Sequence, residues 1–139
     1  MVASTQHTFK PPAIPWLKPQ QLLLAPDLGI GLDYGLFAAA MERLSADPAV
    51  HALIVFGSRG RGEAKSDSDL DLAVVIRQAQ LTPAEKASHW RHFRQLIGPL
   101  GVGLDLVLAG ISDAEKLSQS RWHVFGDVAR QGRVLYVTR

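Results

Sequence analysis

Two short apolar runs joined by a glycine-rich turn constrain this chain more than any other feature. Ala52-Leu53-Ile54-Val55-Phe56 is too short for a core helix, rich in strand formers and bounded by Gly57, so it reads as a buried strand. Leu70 to Ile76 is a second such run, rich in β-branched residues, and reads the same way. Between them, glycines stand at 57, 60 and 62 with Arg59 and Arg61 among them. Glycine tolerates positive φ and lets backbone approach a ligand closely. A short helical turn starting at Ser58 would turn its free N–H groups and its hydroxyl toward an anion. An ordinary strand-to-helix turn is the plainer alternative.

The second run begins with carboxylates. Side chains at i and i+2 of a strand share a face, so Asp69 and Asp71 project together while Leu70 and Leu72 face the other side. Two adjacent carboxylates repel unless a cation lies between them. Hard oxygen ligands of this kind suit Mg²⁺, which takes one or two carboxylates together with substrate phosphates and water. A polar strand start in water is the alternative. Val102 to Leu108 reads as a third buried strand, about 102–109, carrying Asp105 in its middle. A buried lone acid is costly unless paired or metal-bound. Beside the Asp69/Asp71 strand it would complete three carboxylates, the requirement of a two-metal site for in-line displacement. Pairing with Arg59 or Arg61 is the other possibility.

These residues carry a resemblance. Gly57-Ser58, ten intervening residues and Asp69-x-Asp71 resemble the signature of the DNA polymerase β-like nucleotidyltransferase superfamily. The string Phe-Gly-Ser-Arg-Gly-Arg-Gly, the later Leu104-Asp105-Leu106-Val107 and the tail Gln131-Gly132-Arg133-Val134-Leu135-Tyr136 are similar to its minimal nucleotidyltransferase (MNT) branch. Gly60 departs from that branch, which commonly has alanine there. The resemblance spans about residues 36–137. It implies an α/β (α+β) nucleotidyltransferase fold, a small mixed sheet packed with helices. It further implies ATP or another NTP as substrate, with Gly57, Ser58, Arg59 and Arg61 binding the nucleotide and Lys65 as a further candidate. Asp69, Asp71 and Asp105 would be the catalytic acids and Mg²⁺ ligands. Relatives of this branch commonly pair with a helical HEPN toxin and silence it by AMP transfer to a tyrosine hydroxyl. The expected partner is therefore a HEPN-type toxin in a toxin–antitoxin hetero-oligomer. A sterically acting binding module without catalysis, and a small-molecule adenylyltransferase, are the rival expectations. Larger relatives add a substrate domain. This chain stops soon after its last expected strand, so a partner is expected to bring the acceptor.

Other phosphate and nucleophile motifs fail. Gly57 to Gly62 has P-loop spacing, but Glu63 stands where lysine is required and Ala64 follows. Phe56 occupies the first glycine position of a nucleophile elbow. The balance of 15 basic and 13 acidic residues, net +2, does not argue for nucleic acid by itself. The absence of cysteine excludes disulfides and thiolate metal sites. No apolar run reaches membrane-spanning length and no secretory pattern opens the chain, which makes the cytoplasm the expected compartment.

At 139 residues one core is expected. Residues 1–35 form a proline-rich arm, with five of the eight prolines in the first 26 residues, and residues 36–139 form the nucleotidyltransferase domain. The arm is either a mobile leader or a segment that packs on its own domain or a partner through Trp16, Leu17 and Leu22 to Leu24. Helical spacing places Leu36, Phe37, Ala40, Met41 and Leu44 on one face of a first helix that Asp47-Pro48 ends. Thr82-Pro83-Ala84-Glu85 is a capping box. It opens a helix to Ile97 that buries Ala87, Trp90, Phe93 and Ile97. Ser112-Asp113-Ala114-Glu115 is a second box, opening a helix or helix pair to Arg130. Arg133 to Val137 is a final strand, so the order is αββαβαβ. His89, His92 and His123 read as surface or packed histidines rather than ligands or a base.

Overall fold

The computed structural model describes residues 13–139, so Pro11 and Pro12 lie outside the described residues. The elements are α1 (Tyr34–Ala46), β1 (Val50–Phe56), α2 (Gly57–Arg61), β2 (Leu70–Ile76), α3 (Pro83–Ile97), β3 (Leu104–Gly110), α4 (Ile111–Ser118), α5 (Val124–Gln131) and β4 (Arg133–Val137). The four strands form one mixed sheet in the order β3-β2-β1-β4. β1 runs antiparallel to both β2 and β4, and β2 runs parallel to β3. The parallel pair requires a crossover, which α3 supplies.

β1 and β2 lie in the middle of the sheet and are apolar on both faces. Leu53, Val55, Leu70, Leu72 and Val74 meet Phe37, Met41, Leu44, Phe93 and Ile97 of α1 and α3 on one face. Ala52, Ile54, Ala73 and Val75 meet Ala114, Phe125 and Val128 of α4 and α5 on the other. Alternation along each strand separates the two sets.

Local signals explain most boundaries. The Asp33 side chain accepts the Leu36 N–H at 3.0 Å and starts α1. The Thr82/Glu85 capping box forms in both directions. The second box does not. α4 begins at Ile111 behind Gly110, with no side-chain cap. The N–H groups of Ile111 and Ser112 instead donate to the Gln78 and Ala79 carbonyls, both at 3.0 Å. Those carbonyls meet the first donors of α4, so the helix starts ahead of Ser112 and holds it inside the first turn.

Three side chains depart from the expected faces. Leu36 and Trp90 are each 42% exposed, and Ala87 is exposed. Trp90 lies at the rim of the sheet, where its Nε1–H donates to the Leu106 carbonyl at 3.2 Å. Arg94 lies over the Trp90 ring and donates to the Leu104 carbonyl at 3.1 Å. The free edge of β3 is thereby occupied by α3 side chains, a common protection against edge pairing.

The described part of the arm packs on the domain. Trp16 is fully buried and meets Phe125 edge-on, ring centres 6.2 Å apart. Gln20 exchanges two backbone hydrogen bonds with Val137, at 2.9 and 3.0 Å. Leu28 and Leu32 join the α1/α3 core, and Arg133 donates to the Asp27 carbonyl. Among the described residues no helix is long and apolar enough to cross a membrane.

Candidate active site

The glycine turn and the acids meet at one end of the sheet, on the face that α4 and α5 cover farther down. β1 ends at Phe56, and Gly57 turns the chain with φ +64° into the five-residue α2. Gly62, at φ +75°, ends α2 with its N–H on the Ser58 carbonyl. A Cβ at Gly57 would stand 2.9 Å from Asp71 Cγ and closer still to one of its oxygens. The Asp71 carboxylate therefore rests directly against the Gly57 Cα. Gly60, the departure from the MNT pattern, has a local reason: a Cβ there would be 2.7 Å from the Val55 carbonyl oxygen.

Sheet register aligns the acids. Phe56 pairs with Asp71, and Asp71 with Asp105, in one row across three strands. Paired residues project to the same face. Leu70 N–H donates to the Gly103 carbonyl at 2.8 Å, which extends the parallel pairing back to Asp69. A Cβ at Gly103 would be 3.0 Å from Asp69 Cγ, so Asp69 also rests its carboxylate on a bare Cα. Burial pushes the Asp71 carboxyl above its ordinary value. The charges of Asp105 and Asp69 and a side-chain hydrogen bond with Asp105 push it the same way, against the pull of Arg61.

Asp105 corrects the sequence reading in one respect. It is exposed, as the second residue of an edge strand, so the cost of burial does not explain it. Its place rests on register with Asp71. Among the described residues, no three acid or histidine side chains are gathered tightly enough to hold a metal ion as they stand. Asp71 and Asp105 form the close pair, with Asp69 flanking them over Gly103. Like charges repel, and that opposes tighter convergence without a cation.

The donor set fits a hard divalent cation. It consists of carboxylates on one face, two of them seated over glycines that keep side chains out of the space, and one acid whose proton affinity is raised by burial and by the other two.

Arg59 and Arg61 take opposite places. Arg61 lies on the rim, 3.3 Å from Glu63 and 3.3 Å from the Gln131 side-chain oxygen. Ser58 is half-buried beside it. Arg59, expected at the nucleotide, is fully buried. Its guanidinium donates to the carbonyls of Leu28, Ile30, Lys65 and Ser68, so it does not reach a ligand. Gln131 and Gly103 are site neighbours that sequence reasoning passed over; Gln131 opens the quoted tail, while nothing in the sequence marks Gly103. The histidines stay outside the site. His92 bonds Asp47 at 2.8 Å, His89 stacks on Phe93, and His123 caps α5 by accepting the Phe125 N–H.

Among solved structures, a toxin–antitoxin with AMP-PNP shares 21% identity over 71% of each chain, with a TM-score of 0.46. A protein from Sulfolobus solfataricus shares 15% identity over 71% of this chain and 74% of its own, with a TM-score of 0.49. A mutant of the toxin–antitoxin MntA-HpeT shares 22% over 71% and 70%, with a TM-score of 0.43. These are distant likenesses and carry nothing about substrate. No curated protein matches. The family profile described as "Polymerase beta, Nucleotidyltransferase" matches residues 40–138, which hold the whole sheet, the glycine turn and all three acids, and the chain belongs to that family.

Proposed function

We propose that this chain transfers AMP from Mg²⁺-bound ATP, or another NTP, to a hydroxyl on a partner protein. The acceptor is a tyrosine of a HEPN-type toxin, for which the chain acts as antitoxin. The observation that carries the reading is the shared row of Asp71 and Asp105, flanked by Asp69, at the mouth of the Gly57–Ser58 turn. Family membership supplies the reaction class.

Asp69, Asp71 and Asp105 are the residues that would hold the cation. When bound, a divalent ion there neutralises phosphate charge and sharpens the nucleophile. The turn at Gly57 and Ser58 brings backbone and hydroxyl to the terminal phosphates, and Arg61 on the rim adds a positive charge. The acceptor oxygen attacks the α-phosphorus, the bond to the bridging oxygen breaks, and pyrophosphate leaves. Asp105, exposed on the edge strand, takes the proton of the attacking hydroxyl. Positioning and charge neutralisation supply most of the catalysis.

The test is incubation with α-labelled ATP, Mg²⁺ and the HEPN-type partner, alongside Asp69→Asn and Asp71→Asn. Label should appear on the partner with wild type and vanish with either variant. Transfer surviving both changes would overturn the role of the acids. Toxin neutralisation without any transfer, unchanged in both variants, would make the chain a binding module.

A further inference from the structure

We propose that Arg59 is a positioning residue, which locks the glycine turn to the loop that delivers Asp69. The inference rests on reading Asp69 as a cation ligand.

Arginine has five N–H donors in a fixed planar fork. All five are used, and every acceptor is a main-chain carbonyl. Nε donates to Ser68 O at 3.1 Å, and Nη2 to Ser68 O at 2.9 Å and Lys65 O at 3.4 Å. Nη1 donates to Leu28 O and Ile30 O, both at 2.9 Å. The side chain is fully buried, and none of the ion pairs among the described residues includes it. A buried cation is costly unless its donors are met. Here that cost is offset only while two separate segments keep their carbonyls turned inward.

Both segments are shaped for this. Gly29 and Gly31, at φ +89° and +92°, let the arm turn the Leu28 and Ile30 carbonyls toward one point. A Cβ on Gly29 would stand 3.0 Å from Ala64 Cβ, and one on Gly31 would be 2.9 Å from Ser66 Cα. The 65–68 loop is closed by Ser68 N–H on Lys65 O at 3.1 Å and Lys65 N–H on Ser68 Oγ at 2.8 Å. Ser68, held twice by one guanidinium, is the residue before Asp69. Arg59 follows Ser58. One side chain thus sets the distance between the phosphate end of the site and its first acid, and ties both to the arm.

A residue that only stabilises the fold would not act selectively on this loop. Arg59→Lys keeps the charge but has three donors and no fork. Phe93→Leu, in the core on the opposite face, serves as a control for stability alone. Backbone hydrogen exchange and Mn²⁺ affinity, read by electron paramagnetic resonance, report the two effects. In Arg59→Lys, exchange at Lys65 and Ser68 should quicken by about tenfold while β1 amides keep their rates. Mn²⁺ affinity should fall by about tenfold, as for other losses of support behind a ligand. Phe93→Leu should leave Mn²⁺ affinity unchanged. If Arg59→Lys does not fold, Gly29→Ala, which keeps Arg59 but strains the arm carbonyls it holds and sets a Cβ 3.4 Å from its Nη1, is read in the same way. Wild-type loop exchange and Mn²⁺ affinity in the folded variant would overturn the inference, as would an equal loss in Phe93→Leu. The full signature with no AMP transfer by wild type would overturn the functional proposal and leave Arg59 its role.

Discussion

Replacing Gly57 with alanine tests the geometry of the site at one atom. Gly57 adopts φ +64°, and a residue with a Cβ in that region costs about 1–2 kcal/mol. The new methyl group would also lie 2.9 Å from Asp71 Cγ, against roughly 3.5–4.0 Å for an ordinary carbon contact. Asp71 must therefore move by about 1 Å, and leaving its rotamer well costs about 0.5–1.5 kcal/mol. The two terms together predict a loss of about 1.5–3.5 kcal/mol from a total of roughly 5–15 kcal/mol for a domain of this kind. Urea denaturation measures it. A double-mutant cycle separates the terms, because Asp71→Ala removes the contact and should leave only the backbone cost. A displaced acid should also lower AMP transfer by about a hundredfold, more than the stability loss explains. A Gly57→Ala protein within about 0.5 kcal/mol of wild type that transfers label at the wild-type rate would refute the reasoning. Absence of coupling in the cycle would refute the contact.

Two further substitutions probe charge. Burial and the two neighbouring acids raise the Asp71 carboxyl, so the folded state holds that proton more tightly than the unfolded chain. Its stabilising contribution is present below the unfolded carboxylate value and is lost as pH rises through the folded one. Asp71→Asn should therefore raise the melting temperature at neutral pH without divalent cation while abolishing transfer; an unchanged or lower melting temperature would count against the crowded-acid account. Asp47 is the opposite case. Burial opposes its ionisation, but hydrogen bonds from His92 and the Ala49 N–H and the histidine charges prevail and lower it. Its contribution is present above the unfolded value and lost as pH falls through the lowered folded value. Asp47→Asn should cost about 0.5–1 kcal/mol in mildly acidic buffer and flatten the acid limb of the stability curve, and parallel curves for variant and wild type would exclude this.

What the sequence discloses and hides follows from the range of each interaction. The strands and α3 were legible because periodicity and the Thr82/Glu85 box are local. Asp69 and Asp71 were legible as a pair for the same reason, since a two-residue spacing fixes a common face. The burial of Asp105 was misread because alternation along a strand does not say that the strand lies at an edge. The cap at Ser112 failed because distant carbonyls at 78 and 79 meet the N–H groups of Ile111 and Ser112 and start the helix earlier. Arg59 and Arg61 look alike in the string, yet one faces inward and one outward. Only the partner segments decide between them, and Gly29 and Gly31 are their sole trace in the sequence.

The pairing of the arm with β4 bears on the order of assembly. Gln20 bonds both Val137 and the Val134 carbonyl, 114 residues away along the chain. Closing a flexible loop of that length costs about 4 kcal/mol in entropy, and two or three hydrogen bonds do not repay it in an unfolded chain. The cost falls only once the intervening hairpin and crossover have drawn β1 and β4 together. During synthesis the arm emerges first but gains its partner strand last. The Gln20 segment therefore stays unseated until β4 has been made, whereas Leu28, packed against α1 and α3, can join the Arg59 cage before that strand exists.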